Sequence, residues 1–413
     1  MSALKTPKPS EHTPSGTEIA DAPVYDTAFH DPYGRWSAKW DLARANGEPD
    51  ALALNIADLE FSTPEVVKAA LRKAVEDGRY SYTELFPDFY EAARNWQQQH
   101  HDWTPEADLA VFFPRIILAV AALAKYELGE GAKVVTYTPA YEPIVEVLEA
   151  NGCEMEYLPL EPGEGDVYPL DFEALEAALR DADAFLLTNP HNPTGKVFNQ
   201  AELEGIARVV ANCPQVLVLC DDIHADFVWD QNRYQPLAKV APELFVAGRI
   251  IQFQSPGKTF SLAGAEAAVA FTGNAQLKAR LEQIKRASGI HNPNYFAIPA
   301  AIAAWTQGSP WLAHIKALIR NNLEQGAEIL NAVPGVHTYV PQGTFLQWVH
   351  VPGYETEADF QKLARAAGIR FSNGLGFGDH PGYLRLNAAI SPEVYLPAIE
   401  RLAEVLKDQG QRK

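Results

Sequence analysis

The chain has 413 residues, with 34 Lys and Arg against 53 Asp and Glu, a net charge of −19 with histidines neutral. Hydrophobic residues make up 47% and charged residues 21%, which excludes wholesale disorder and a mini-domain in need of staples. The acidic balance argues against nucleic-acid binding, since no basic excess exists to neutralise phosphates.

Residues 1–24 are rich in Pro, Ser and Thr and lack the apolar stretch of a signal peptide, so they read as a flexible tail. A helix is predicted from Thr63, a good N-cap with Pro64 at the first helical position; Val67, Ala70, Leu71 and Ala74 then recur at helical spacing before Gly78. Helices are also predicted near Asp88–Gln98 and over Ile116–Leu128. From there short apolar strands alternate with helices. The strands are Lys133–Tyr137, Glu154–Leu158, Ala184–Thr188, Val216–Cys220 and Ile250–Gln254. The helices lie near Pro143–Asn151, from Asp171, and from Asn199, where Glu202 completes a capping box.

This alternation predicts an α/β fold: a mostly parallel sheet covered by helices on both faces, with a second, smaller α/β domain. The chain turns helical after about residue 295 and ends in a mixed segment. The expected domains are 61–295 (large) and 296–413 (small), with 25–60 joining the small one. No stretch of about 18 apolar residues occurs, so no membrane span is expected. Cys153, Cys213 and Cys220 have no metal-ligand spacing; no metal site is expected, and a reducing compartment, the cytoplasm, is.

In such sheets ligands bind beyond the carboxyl ends of the strands. Four strand ends are followed by chemistry-bearing residues: Thr138-Pro139-Ala140-Tyr141, Asn189-Pro190-His191-Asn192-Pro193-Thr194-Gly195, Asp221-Asp222-Ile223-His224 and Ser255-Pro256-Gly257-Lys258-Thr259-Phe260. Singly, each has an ordinary explanation. An Asn-Pro is usually a turn, a lysine a solvated charge, a tyrosine core, an aspartate a helix cap. Together they offer what pyridoxal phosphate needs. A lysine joins its aldehyde, a carboxylate keeps its ring nitrogen protonated, and an amide donates to its phenolic oxygen. An aromatic ring covers its face, and a helix start with hydroxyls takes its phosphate.

With these motifs the sequence resembles the class I/II aminotransferase superfamily of fold-type I pyridoxal phosphate enzymes. The resemblance implies Lys258 as the lysine that forms an imine with the cofactor aldehyde, Asp221 on the ring nitrogen, Asn192 on the phenolic oxygen and Tyr141 stacked on the ring. It implies Ser255 and the start of the helix at Ile116 and Ile117 for the phosphate. In Tyr383-Leu384-Arg385-Leu386-Asn387 it implies Arg385 as the grip on the substrate α-carboxylate, a role suited to a planar fork.

Further motifs are similar to those of the MalY/PatB family of cystathionine β-lyases. They are Ser37-Ala38-Lys39-Trp40-Asp41, Asn55-Ile56-Ala57-Asp58-Leu59-Glu60-Phe61, Tyr80-Ser81-Tyr82-Thr83, Asp221–Asp226 and Gln342-Gly343-Thr344-Phe345-Leu346. That likeness implies a homodimer in which Tyr82 reaches the neighbouring subunit's phosphate. His224 falls beside the cofactor where aminotransferases usually carry tyrosine, and Asn55 and Ala57 fall at the substrate. Three positions depart from the pattern: Asn55 replaces tryptophan, Asp222 replaces glutamate, and Arg115 stands where glycine usually precedes the phosphate helix. Arg115 is open to three readings: a cation near the phosphate, a contact for a distal substrate acid, or a solvated side chain. The implied activity is a carbon–sulfur β-lyase that acts on cystathionine or an S-substituted cysteine. An aminotransferase on the same scaffold is the alternative, and a regulatory protein that merely binds the cofactor is a third.

Overall fold

The computed structural model describes residues 25–47, 51–229 and 233–410. The expected tail over 1–24 lies outside them. A seven-stranded sheet runs in the order Val111–Phe113, Ala268–Phe271, Ile250–Gln254, Leu217–Asp221, Ala184–Thr188, Lys133–Thr138, Glu154–Pro159. The last five are mutually parallel, and Ala268–Phe271 runs antiparallel to both its neighbours. The inner strands are buried nearly throughout, as expected of a sheet covered on both faces. The register sets Thr188, Asp221 and Phe253 side by side, so the segments after these strands leave the sheet at one edge.

A second, four-stranded antiparallel sheet has the order Ser372–Asn373, Tyr383–Asn387, Leu346–His350, His337–Thr338. Leu52–Ala53 pairs in parallel with Ile369–Arg370, and the Asn387 N–H donates to the Leu54 carbonyl at 2.8 Å. The early segment is thereby fastened to the strand that carries Arg385. The loop between the strands His337–Thr338 and Leu346–His350 closes on the segment after Ala184–Thr188 at Gly195, where φ is +70° and an added Cβ would lie 2.3 Å from Pro341 Cβ. Only glycine fits there. Among the described residues, no helix is long and apolar enough to cross a membrane, and no group of His, Cys, Asp or Glu is placed to hold a metal.

Several elements begin where their local chemistry predicts. Asn199 and Glu202 form the reciprocal capping box, and Asp171 caps Phe172–Leu179. Others differ. The helix expected from Thr63 is Glu65–Asp77, because Pro64 is itself extended at ψ 144°, and Thr63 Oγ1 caps nothing. The helix from Ile116 is α-helical to Leu123 and then widens into a π turn over Ala124–Leu128.

The Ser37–Asp41 motif folds on its own backbone. Ser37 Oγ accepts the N–H groups of Lys39 and Trp40, both at 3.2 Å, and Asp41 accepts those of Gly34, Arg35 and Ser37. Lys39, buried, then pairs with Glu60 at 2.7 Å, and the Trp40 indole donates to the same carboxylate at 3.0 Å. The motif thus latches the segment around Glu60 in place.

The turn that bears Lys258 is fixed from below by Asp226. This buried carboxylate accepts from Thr259 Oγ1 at 2.6 Å and Trp96 Nε1 at 3.0 Å, and lies 2.9 Å from His101 Nε2. Burial lifts the Asp226 carboxyl, but the His101 hydrogen bond and charge and the Thr259 hydroxyl outweigh it and hold it at about 2. That is below the ~3.9 of an unfolded aspartate. The carboxylate therefore stabilises the fold fully above about pH 4, and this contribution is lost as pH falls towards 2. Asp226→Asn is expected to cost about 2–4 kcal/mol in urea unfolding at pH 7. The gap to the unsubstituted protein should narrow between about pH 4 and 2; a gap constant over that range would show that ionisation of Asp226 contributes nothing.

Candidate active site

Lys258 sits in the short helix Pro256–Thr259, which Ser255 caps by accepting the Gly257 N–H at 3.0 Å. Its side chain is mostly buried, and Nζ lies 3.3 Å from Asp58 Oδ1. Asp221 is buried at the end of its strand and, among the described residues, accepts only the Ile223 N–H, at 3.2 Å. Burial pushes its carboxyl up to about 6, against that hydrogen bond and the charge of Lys258. A buried carboxylate so poorly supplied with donors is a partner in search of a cation.

Arg385 presents the converse. It is 4% exposed, and burial pulls it down to about 10. Its guanidinium donates from Nη1 to Asn192 Oδ1 at 2.9 Å, and from Nη2 to the Asn55 carbonyl at 2.8 Å and Ser372 Oγ at 3.2 Å. The Phe377 ring lies 4.8 Å away. Among the described residues Nε has no partner, and every acceptor is neutral. A buried cation is normally paired, so this one is poised for an anion. Asn192, with its oxygen turned to Arg385, keeps its Nδ2 hydrogens for another acceptor.

His224 is buried, its Nδ1 has no partner among the described residues, and it packs edge-on against Phe345 at 5.2 Å. Burial drives its imidazole far below the usual range, helped by the charges of Lys258 and Arg385, so it is neutral. Tyr141 precedes the helix Glu142–Ala150, and burial raises its phenol. Ala57 is buried, and the carbonyls on either side of it, Ile56 and Asp58, both accept from Asn387 Nδ2 at 2.7 Å. Asn55 Oδ1 is buried without a partner.

Around the expected phosphate site the outcome is mixed. Ile116 opens the helix Ile116–Leu123, whose first N–H groups have no partner within the helix. Ile117 follows as its second residue. Arg115 precedes them at φ −146°, ordinary extended backbone, so the position does not require glycine. Its guanidinium pairs with Glu266 at the surface, a partner the sequence did not point to. The Ser255 hydroxyl donates to the Ala267 carbonyl at 2.7 Å and would have to leave it to serve a phosphate. Tyr82 is 96% exposed and projects away from its own chain.

The residues fit pyridoxal phosphate where the chemistry is most exacting. A half-satisfied buried carboxylate awaits a protonated ring nitrogen, a free amide awaits a phenolate, and the charge of Lys258 is felt at Asp221 and, with that of the uncompensated Arg385, at His224. Sequence reasoning assigned no role to Asp58, Ser372 or Phe377. Only Asp58 had a signal, its place in the Asn55–Phe61 motif.

Known proteins share this plan. The model of the family "Aminotransferase class I and II" matches residues 49–402. Cystathionine beta-lyase PatB of Bacillus subtilis is 28% identical over 380 residues, covering 90% of this chain and 97% of the relative. Protein MalY of Escherichia coli is 30% identical over 371 residues, 87% of this chain and 92% of its own. The structure of cystalysin from Treponema denticola, which contains a pyridoxal 5'-phosphate cofactor, superposes with a TM-score of 0.88 at 25% identity, over 94% of this chain and 100% of that one. The chain is a member of the class I and II aminotransferase family.

Proposed function

We propose that the protein is a pyridoxal phosphate-dependent carbon–sulfur β-lyase. It would cleave cystathionine or an S-substituted cysteine to a thiol, pyruvate and ammonia. The observation that carries this reading is the pairing of opposite vacancies around Lys258: an undersupplied buried carboxylate, Asp221, and an uncompensated buried guanidinium, Arg385. The named activity of the Bacillus relative supports the choice of lyase, as does His224 in place of the aminotransferase tyrosine.

Bound pyridoxal phosphate supplies an aldehyde that joins to amines and a cationic ring that draws electrons from the carbon beside the joined nitrogen. Lys258 would hold the cofactor, Asp221 would keep the proton on its ring nitrogen, and Asn192 would donate to its phenolic oxygen. Tyr141 and His224 serve the ring, and Ile116, Ile117 and Ser255 the phosphate. Arg385 takes the substrate α-carboxylate, so the amino acid enters with its charge satisfied and its α-carbon fixed. Lys258, as a neutral amine, would remove the substrate α-proton as general base. The β-sulfur leaves as a thiolate, favoured because thiols ionise near pH ~8.5.

We take residues 61–295 as the cofactor-holding domain and 296–413, with 25–60, as the smaller one. The three buried, free cysteines are in keeping with a cytoplasmic setting. Exposed Tyr80, Tyr82 and Phe86 support a homodimer in which Tyr82 of one subunit completes the phosphate site of the other.

The reaction is tested with cystathionine and S-substituted cysteines in the absence of any 2-oxo acid. Equal amounts of pyruvate and ammonia are expected through many turnovers. Single half-turnovers, each rescued by a 2-oxo acid, would make the protein an aminotransferase. Arg385→Lys keeps the charge but not the fork; kcat/KM should fall on the order of 100-fold while absorbance shows unchanged cofactor content. Arg115→Ala, in contrast, should change it less than about threefold. For the dimer, inactive Tyr82→Ala and Lys258→Ala chains are mixed under subunit exchange. Partial recovery is expected, because one site of each mixed dimer receives neither lesion. No recovery despite proven exchange would mean that each site is built from a single chain.

A further inference from the structure

Beside Lys258, and separate from the Asn192–Asp221–Tyr141 cradle, lies a cavity of about 200 Å³ whose lining includes Arg35, Ser37, Lys39, Asp58, Glu60 and Ser261. This is well above the ~15 Å³ that admits one water, so it takes a group of several heavy atoms. Asp58 connects the two spaces: it lines the cavity, and its carboxylate lies 3.3 Å from Lys258 Nζ.

The charges on the wall are not equally available. Lys39 and Glu60 satisfy each other at 2.7 Å, with the Trp40 indole on the same carboxylate. Arg35 is exposed, and among the described residues its guanidinium has no partner; only its backbone N–H is used, by Asp41. Asp58 is 43% exposed, with Lys258 its only cationic partner within ion-pair distance among the described residues. Once Lys258 is committed to the cofactor, Arg35 and Asp58 remain as one uncommitted cation and one uncommitted anion on the same cavity.

We propose that this cavity is the distal subsite for the β-substituent, and that Arg35 and Asp58 select a substituent ending in an α-amino acid group over an uncharged S-alkyl group. Arg35 takes its carboxylate and Asp58 its ammonium. The proposal rests on the lyase reading above and narrows its substrate to thioethers with a zwitterionic far end, of which cystathionine is the example.

The test compares kcat/KM for L-cystathionine and S-ethyl-L-cysteine in the holoenzyme. Both share the α-proton and carboxylate steps, so their ratio isolates the far end. Arg35→Gln should lower the cystathionine-to-S-ethylcysteine ratio about fivefold, as expected for a partly exposed charge pair. Arg35→Glu should lower it further, and Arg35→Lys should largely preserve it. Calorimetric titration of cystathionine into Lys258→Ala protein, which does not turn over, should show the same loss when Arg35→Gln is added. If both substrates are cleaved and neither Arg35→Gln nor Arg35→Glu moves the ratio, the subsite is overturned and the lyase reading stands. If the unsubstituted enzyme cleaves neither substrate, the lyase reading falls, and the titration still decides the subsite: binding indifferent to Arg35 overturns it.

Discussion

A guanidinium held in the protein interior by neutral oxygens alone sets the conditions for everything around it. Removing a cation from water costs several kcal/mol even after relaxation, and a carboxylate partner is the usual remedy. Arg385 has instead an amide oxygen, a backbone carbonyl and a hydroxyl, with an aromatic face behind it. Such an arrangement persists only if each acceptor is itself fixed. Asn192 is fixed by the segment after the strand Ala184–Thr188, and Ser372 pairs with Arg385 directly across the small sheet. Asn55 belongs to a segment pinned by Asn387, two residues beyond Arg385 on the same strand. One strand therefore carries the cation and also ties down the loop that brings Asp58 to Lys258.

The opposite charge is treated in the same way on the other side of Lys258. Asp221 is buried with a single backbone donor, and the neighbouring Asp222 is prevented from adding a second full charge. Burial raises the Asp222 carboxyl far above the ordinary range, and Tyr234 donates to it at 2.5 Å. His224, neutral in its buried setting, adds no charge either. The result is a site with one buried anion, one buried cation, and a lysine that pairs with a third ionic group, Asp58.

What could be read in the sequence divides along a physical line. Strands and caps depend on neighbours a few residues away, so Ala184–Thr188, Ile250–Gln254 and the Asn199–Glu202 box stand where periodicity and capping chemistry put them. The site residues at strand ends were legible for a related reason, since a parallel sheet collects such ends at one edge. The contacts that finish the site were not. Asp58 meets Lys258 across 200 residues of chain, and Ser372 and Phe377 reach Arg385 through the fold of the second sheet. No period or spacing encodes these. The Ser37–Asp41 motif was visible as a pattern, yet its task, to bury Lys39 on Glu60, emerges only when both partners are in place. At Arg115 the expectation of glycine was a matter of family habit. The backbone there is extended and accepts any residue.

The acidity of the whole chain raises a question that the local arrangement answers. A net charge of −19 should repel an amino acid's carboxylate and, more strongly, a phosphate ester. At physiological ionic strength, though, exposed charges are largely screened beyond ~8 Å, whereas buried ones are screened far less. Most of the acidic excess lies in solvated side chains and fades over that distance. Arg385 and Lys258 act from within a low-dielectric interior, and the unpaired N–H groups at the start of Ile116–Leu123 add a fixed positive end. An anion that reaches the site therefore responds to these near, weakly screened groups and only faintly to the rest of the molecule. The uncompensated state of Arg385 is what makes that possible: a carboxylate partner within the protein would steady the fold and cancel the field that draws the substrate in.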